Sequence, residues 1–118
     1  MQTNYLNIKQ GDIIVTQIHY SDLSGLKTRP ALVISNSEYN INSGNIIVLS
    51  ISSTQPGSKY DVNINKFDLN EGKLKVESKI LTDYPAAISK NIISSKIGAI
   101  TQNKLTEVKQ KIFELYKL

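Results

Sequence analysis

The chain has 118 residues, a formal net charge of +4, no cysteine and a single histidine, His19. This length accommodates one domain around one hydrophobic core. Without cysteine there is no disulfide, thiol nucleophile or Cys-ligated zinc, and one histidine is too few for a multi-histidine metal centre. We therefore expect neither a metal site nor a cofactor. The sequence has no apolar run of about 18 residues and no N-terminal signal pattern, which favours a cytoplasmic location.

The positive charge is concentrated in the second half of the chain. Acidic and basic residues cancel over residues 1–58, so the whole excess comes from residues 59–118. A basic domain of this size is compatible with an anionic partner, of which nucleic acid is the first candidate. Solubility alone is the alternative explanation of this positive charge.

Hydrophobic patterning predicts six strands, at residues 12–20, 29–35, 46–52, 60–65, 76–81 and 92–97. The first two are predicted to form a hairpin whose polar tip, residues 21–28, is long and mobile. The third is apolar at almost every position, which is typical of a central strand covered on both faces. The polar stretches 36–45 and 68–75 are predicted to be loops.

The last segment of the chain carries the one convincing helical pattern. Leu105, Val108, Ile112 and Leu115 recur at helical spacing, and Thr101 is a suitable N-cap. Strands followed by a terminal helix predict a mostly β (α+β) fold, in which a curled antiparallel sheet has a helix on its flank. We expect a single domain over residues 1–118, with strands within about 11–100 and the helix at about 102–117.

The only arginine of the chain, Arg29, lies at the boundary between a loop and a strand. Pro30 fixes its own φ and favours an extended conformation for Arg29. The apolar run that follows predicts a buried strand, so the guanidinium is held by a stiff backbone. Such a side chain can bind a phosphate with two parallel hydrogen bonds. The alternatives are an arginine that pairs with a carboxylate at a strand end and an arginine that is simply solvated.

Several segments, in this order, resemble the MazF/PemK family of toxins from toxin–antitoxin pairs. They are Gly-Asp-Ile-Ile-Val at 11–15, Lys-Thr-Arg-Pro-Ala-Leu-Val-Ile-Ser at 27–35, Tyr-Asn at 39–40, Thr-Asp-Tyr-Pro-Ala-Ala-Ile-Ser at 82–89 and Ile-Gly-Ala-Ile at 97–100. The resemblance implies an SH3-like small barrel with a C-terminal helix, working as a homodimer. It also implies a metal-independent, sequence-selective endoribonuclease that cleaves single-stranded RNA. A cognate antitoxin, commonly with an acidic tail, would silence it.

Carried over residue by residue, the resemblance implies a catalytic set of Arg29, Ser52 and Asp83. Arg29 would clamp the phosphate and stabilise the transition state. Ser52 would donate a hydrogen bond to the scissile phosphate, although a hydroxyl that merely ends a strand is an equal alternative. Asp83 would be the general base or would orient Arg29. Some relatives have an arginine two residues before this aspartate, where this chain has Leu81, so a second cation is missing.

Other polar side chains are candidates for RNA binding, because cations can follow the phosphate backbone. These candidates are Lys27, Thr54, Lys79, Lys90 and His19. His19 is chemically suited to acid–base work, but it lies several residues too early to match a loop histidine of some relatives. Solvated lysines and a structural histidine are the ordinary alternatives.

Two other interpretations stay open. The chain resembles, in its expected fold, the CcdB toxins that bind and poison DNA gyrase without being enzymes. It is also compatible with an inactive SH3-like binding module. The Arg-Pro pair followed by hydroxyl residues favours the nuclease, and RNA cleavage in EDTA distinguishes it from both alternatives.

Overall fold

The computed structural model describes residues 7–19, 26–54 and 57–117, with the side chains of residues 18, 19, 26 and 27 outside the description. In this part of the chain the strands are β1 (Asp12–His19), β2 (Leu26–Val33), β3 (Asn45–Ser52), β4 (Val62–Ile64), β5 (Leu69–Gly72), β6 (Ser78–Ser89) and β7 (Ile93–Ile100). The helices are α1 (Ser37–Asn42) and α2 (Gln102–Tyr116). Short 3-10 turns, Lys66–Asp68 and Lys90–Ile92, precede β5 and β7.

The seven described strands form one antiparallel sheet in the order β4-β6-β3-β2-β1-β7-β5. The edge strands β4 and β5 are joined by residues 65–68 alone. In a flat sheet, six strand spacings of about 4.8 Å would separate these edges by about 29 Å. The five Cα steps from Ile64 to Leu69 span at most about 18 Å. The sheet therefore has to curl, and the expected mostly β fold with a curled sheet and a C-terminal helix is confirmed.

Two clusters of buried apolar side chains cover the two faces of the sheet. Consecutive residues of β1 divide between them, since Ile13 belongs to one cluster and Ile14 to the other. Leu105 and Val108 of α2 complete the first cluster. Alternating residues of β3 contribute to both clusters, which explains its nearly continuous apolar sequence and confirms it as a central strand.

The hairpin of the first two strands and the terminal helix are also confirmed. β1 and β2 pair from Ile13 with Leu32 to His19 with Leu26, so β2 begins earlier than predicted. Arg29 therefore lies inside β2, and its predicted position at the boundary between a loop and a strand was wrong. The predicted mobile tip falls largely on residues 20–25, which lie outside the described residues. Thr101 is the N-cap of α2, and its Oγ1 accepts a hydrogen bond of 3.2 Å from the Lys104 amide.

Further segments were predicted wrongly, and β7 also continues to Ile100 instead of ending at residue 97. Residues 36–45 contain α1, whose N-cap Asn36 accepts a hydrogen bond of 2.8 Å from the Tyr39 amide. Residues 68–75 contain β5, which was predicted to be a loop because this segment is short and polar. β6 does not end near residue 81 but continues to Ser89 past Pro85. Pro85 is tolerated because β4 pairs only with residues 78–80 of β6. Beyond residue 80 this edge of β6 has no β4 partner, so a proline interrupts no hydrogen bond with β4.

We expect Gly72→Ala to destabilise the fold. Gly72 has φ of +84°, and a Cβ there would overlap the Ile97 carbonyl oxygen of the neighbouring β7 strand. A left-handed conformation at a residue with a side chain typically costs about 1–3 kcal/mol, and the steric overlap adds to this. Chemical denaturation should therefore show a clearly lowered midpoint.

The matched control for this substitution is Gly44→Ala. No atom lies within 4 Å of a Cβ built at Gly44. Its stability should stay within about 0.5 kcal/mol of the parent chain. Equal midpoints for the two variants would contradict the close crossing of β5 and β7.

Candidate active site

Arg29 lies where β2 and β3 separate. It pairs with Thr16 of β1 on one side, while the hydrogen-bonded ladder to β3 ends at Ala31 opposite Ser50. The residue between them, Pro30, has no N–H to donate, so the ladder stops beside it. Continuing the register by two residues sets Arg29 against Ser52, the last residue of β3.

The strand separation opens a cavity of about 530 Å³ at this end of the sheet. Arg29 and Ser52 both line it. The other lining residues are Val15, Thr28, Pro30, Ile51, Ser53, Lys73, Leu74, Lys75, Val76, Ser78 and Ile97. The cavity thus combines an apolar floor with cations and hydroxyl groups. None of these described lining residues is acidic, so the cavity suits an anion with an apolar part, such as a nucleotide.

Ser52 has a defined local setting. Its Oγ accepts a hydrogen bond of 3.2 Å from the amide of Thr54. A serine hydroxyl carries one donor hydrogen in addition to its acceptor lone pairs. Thr54 itself is exposed just beyond the end of β3.

The remaining predicted residues occupy three different places. Lys79 pairs with Ser52 across β3 and β6 and lines an adjoining cavity of about 380 Å³. Asp83 is exposed in β6, beside the irregular stretch of β3 between Leu49 and Ile51, and is not among the lining residues of the Arg29 cavity. Lys90 follows β6 at the opposite end of that twelve-residue strand.

Two predicted candidates fall on residues whose side chains lie outside the description. His19 ends β1 and pairs with Leu26, and Lys27 pairs with Ile18. Both backbone positions extend β1 and β2 beyond Arg29, away from Asp12. Leu81, which stands where some relatives have an arginine, is buried in β6.

The aspartate of the Gly-Asp pair at the start of β1 makes structural contacts with neighbouring parts of the fold. Asp12 is 3% exposed, and one carboxylate oxygen accepts a hydrogen bond of 2.8 Å from the Lys9 amide. The other oxygen lies 3.3 Å from Lys96 Nζ on β7. This network joins β1 to β7 at the end of β1 that is remote from Arg29.

Sequence reasoning missed the contribution of residues 73–78 to the cavity. Lys73 and Lys75 bring two further cations, and Ser78 brings a further hydroxyl. The available signal was the pair of lysines at 73 and 75, each followed by an apolar residue. Its proximity to Arg29 follows from the curl of the sheet and cannot be read from the sequence.

Two further findings concern membrane-spanning helices and metal sites. No helix in the described part of the chain is long and apolar enough to cross a membrane. Among the residues that the structure describes, no group of three or more His, Asp or Glu side chains is arranged to hold a metal ion.

The family of the chain follows from comparison with known sequences. The family model of PemK-like, MazF-like toxins of type II toxin–antitoxin systems matches residues 9–116. The chain therefore belongs to this toxin family. A search of curated proteins finds no significant match.

Solved structures of such toxins share the fold. A mycobacterial endoribonuclease in complex with its cognate antitoxin is 14% identical, with a TM-score of 0.75, over 94% of this chain and 96% of that chain. MazF from Deinococcus radiodurans is 19% identical, with a TM-score of 0.74, over 98% of this chain and 100% of that chain. The Mycobacterium tuberculosis toxin MazF-mt6 is 17% identical, with a TM-score of 0.70, over 89% of this chain and 97% of that chain.

We expect the cavity to bind single-stranded nucleic acid. A DNA strand lacks the 2′-OH, so it should be bound without being cleaved. We expect a DNA oligonucleotide to raise the melting temperature of the protein, and the rise to shrink as salt increases. Replacing two cavity lysines, Lys73→Gln with Lys75→Gln, should lower the slope of log affinity against log salt by about 1.4. The charge-matched control combines Lys109→Gln on the exposed side of α2 with Lys117→Gln at the C-cap of this helix, and it should keep the parent slope. Equal slopes for both double variants would contradict an anion-binding cavity.

Proposed function

We propose that this toxin-family chain is a metal-independent, sequence-selective endoribonuclease that cleaves single-stranded RNA. The observation that carries the proposal is the setting of Arg29 and Ser52 together in a cavity with cations and no acidic lining residue. An arginine held by a strand next to a serine hydroxyl provides several donors for one phosphate group.

The proposed reaction requires only side-chain chemistry. The ribose 2′-oxygen loses its proton to a base and attacks the adjacent phosphorus. The bond from phosphorus to the 5′-oxygen breaks, and that oxygen takes up a proton from an acid. The products are a 2′,3′-cyclic phosphate and a 5′-hydroxyl. Arg29 binds the phosphorane oxygens as their negative charge grows, and Ser52 donates a further hydrogen bond.

Ground-state contacts of Arg29 and Ser52 with the phosphate position the reacting atoms. The apolar lining residues Val15, Val76 and Ile97 provide a surface for the sugar or base beside the scissile bond. They also exclude water, which strengthens the electrostatic contacts of Arg29. A closely held phosphate next to its own 2′-oxygen has the proximity that this attack needs.

The family membership also supports the partners that we propose. One similar structure is a complex of MazE and MazF from Deinococcus radiodurans, and another is an endoribonuclease with its cognate antitoxin. We propose a cytoplasmic antitoxin with an acidic segment as partner, because residues 59–118 carry the basic excess. We propose a homodimer as well, since β6 leaves an exposed stretch at Asp83–Ala87 beyond the end of β4.

Arg29 should be indispensable for cleavage. Purified protein is incubated with a long single-stranded RNA in EDTA, and the cut ends are sequenced. We expect discrete cuts from the parent chain and a loss of at least about 10²–10³ in rate for both Arg29→Ala and Arg29→Lys, because lysine cannot provide the planar pair of donors. Unchanged denaturation midpoints would show that the fold is intact.

Other outcomes of this experiment have definite meanings. An active Arg29→Lys variant would contradict the proposed role of the guanidinium as a donor of two parallel hydrogen bonds. If the folded parent chain makes no cuts, the endoribonuclease proposal fails. Inhibition of gyrase supercoiling by the same sample would then identify the non-enzymatic alternative.

The two roles proposed for Asp83 differ in their effect on the pH–rate profile. If Asp83 is the base, Asp83→Asn removes the limb of the profile in which the rate rises with pH, and the rate falls by about 10²–10⁴. If Asp83 only orients Arg29, the limb persists at a lower overall rate. The measurement is single-turnover cleavage of one mapped site across a series of pH values, with Asp61→Asn as the acidic control outside the Arg29 cavity. An unaltered rate and profile for Asp83→Asn would rule out both roles.

A further inference from the structure

A second concave surface adjoins the Arg29 cavity on the far side of residues 74–76. It has a volume of about 300 Å³ and contains Lys66, Phe67 and Glu77. Leu74, Lys75 and Val76 line both cavities. A strand of RNA that leaves the Arg29 cavity across this shared ridge therefore enters the second surface directly.

The second surface exposes apolar groups that the fold does not bury. Phe67 is 81% exposed, the highest value among the exposed large apolar side chains of the described residues, and Val76 beside it is 56% exposed. Leaving a phenylalanine in water forgoes the favourable free energy of its burial. A lone exposed apolar side chain is ordinary, but here two of them, Phe67 and Val76, share one cavity next to the candidate active site.

The backbone that carries Phe67 is fixed in place. Phe67 donates its amide hydrogen to Asn65 Oδ1 over 2.8 Å, and the Asn65 amide donates to Asp68 Oδ2 over 2.9 Å. Asp68 is held in turn by α2, because its carbonyl accepts from the Thr101 amide over 2.8 Å. The exposed ring therefore stands on a capped turn anchored to the last helix, which lowers the entropic cost of binding a flat ligand.

The charges around the ring favour an anionic ligand. Lys66 Nζ lies 5.3 Å from the centroid of the Phe67 ring, and Lys75 lines the same surface. Glu77 is the one acidic residue among the described lining residues. Lys66 covers one face of the ring, so a base would stack on the other face while the lysines of this surface contact the adjoining phosphates.

We propose that Phe67 stacks on a base of the bound single-stranded RNA at a position flanking the cleaved step, with Lys66 and Lys75 contacting the backbone there. The occupant is RNA because the surface is continuous with the Arg29 cavity and carries net positive charge. Phe67 is thus a substrate-positioning residue. Its effect on cleavage rests on the proposed endoribonuclease function, whereas the stacking contact itself can be measured without cleavage.

Fluorescence tests the contact directly. The chain contains no tryptophan, so Phe67→Trp introduces a single reporter. The probe is a mixed-sequence oligonucleotide with every 2′-OH methylated, which the proposed attack cannot cleave. We expect it to quench the reporter by stacking, and to leave unquenched a reporter placed by Phe113→Trp, since Phe113 is a 57% exposed phenylalanine on α2 outside both cavities.

Cleavage kinetics test what the contact does. With a long RNA, Phe67→Ala should lose about tenfold in kcat/KM, mainly through a higher KM, because base stacking on an aromatic side chain is typically worth this much. Phe113→Ala should match the parent chain. When the mapped substrate is shortened one nucleotide at a time from either end, the parent chain should show a drop at one nucleotide. Phe67→Ala should be insensitive to removal of that nucleotide, since both changes delete the same contact.

Each contrary result separates this inference from the proposed function. Normal cleavage by Phe67→Ala together with no quenching overturns the stacking role and leaves the endoribonuclease intact. Quenching without any cleavage by the parent chain supports the stacking surface and refutes the endoribonuclease. Quenching by a cognate antitoxin and not by the oligonucleotide overturns the RNA assignment, because the surface then serves the protein partner.

Discussion

The short connection between β4 and β5 sets the curvature on which the rest of the structure depends. Only residues 65–68 join the two edges of the described sheet, so the edges have to approach each other. The curl encloses the core that α2 covers. It also carries residues 73–77, between β5 and β6, to the open end of β3. The short length of this connection thus determines the shape of both the core and the cavity.

The two ends of β1 and β2 have opposite properties. At one end the buried carboxylate of Asp12 accepts a hydrogen bond from the Lys9 backbone amide and pairs with Lys96, which ties β1 to β7. At the other end Pro30 terminates the ladder to β3, and the strands separate around Arg29 and Ser52. A satisfied buried carboxylate stabilises its position strongly, whereas a cavity lined by like charges does not. The stability of one end permits the open, cationic arrangement of the other.

A single ridge, residues 74–76, separates the Arg29 cavity from the surface that carries Phe67. One side of the ridge offers hydroxyls and a guanidinium for a phosphate, and the other offers an exposed ring for a base. These are the two chemically distinct parts of a nucleotide chain. In the proposed function, chemistry and substrate positioning use adjacent surfaces of one connection.

The sequence by itself determined the strands with strong apolar patterns, the hairpin of β1 and β2 and the capped terminal helix. It also singled out the Arg29-Pro30 pair as a candidate. These features depend on local periodicity and on the fixed geometry of proline, which neighbours in the chain decide. The tertiary structure decided which distant residues meet. Lys73, Lys75 and Ser78 reach Arg29 only because the sheet curls, while Lys90 is carried to the other end of β6 and Asp83 to its exposed stretch. Strand order and curvature arise from long-range pairing and packing, and no local pattern encodes them.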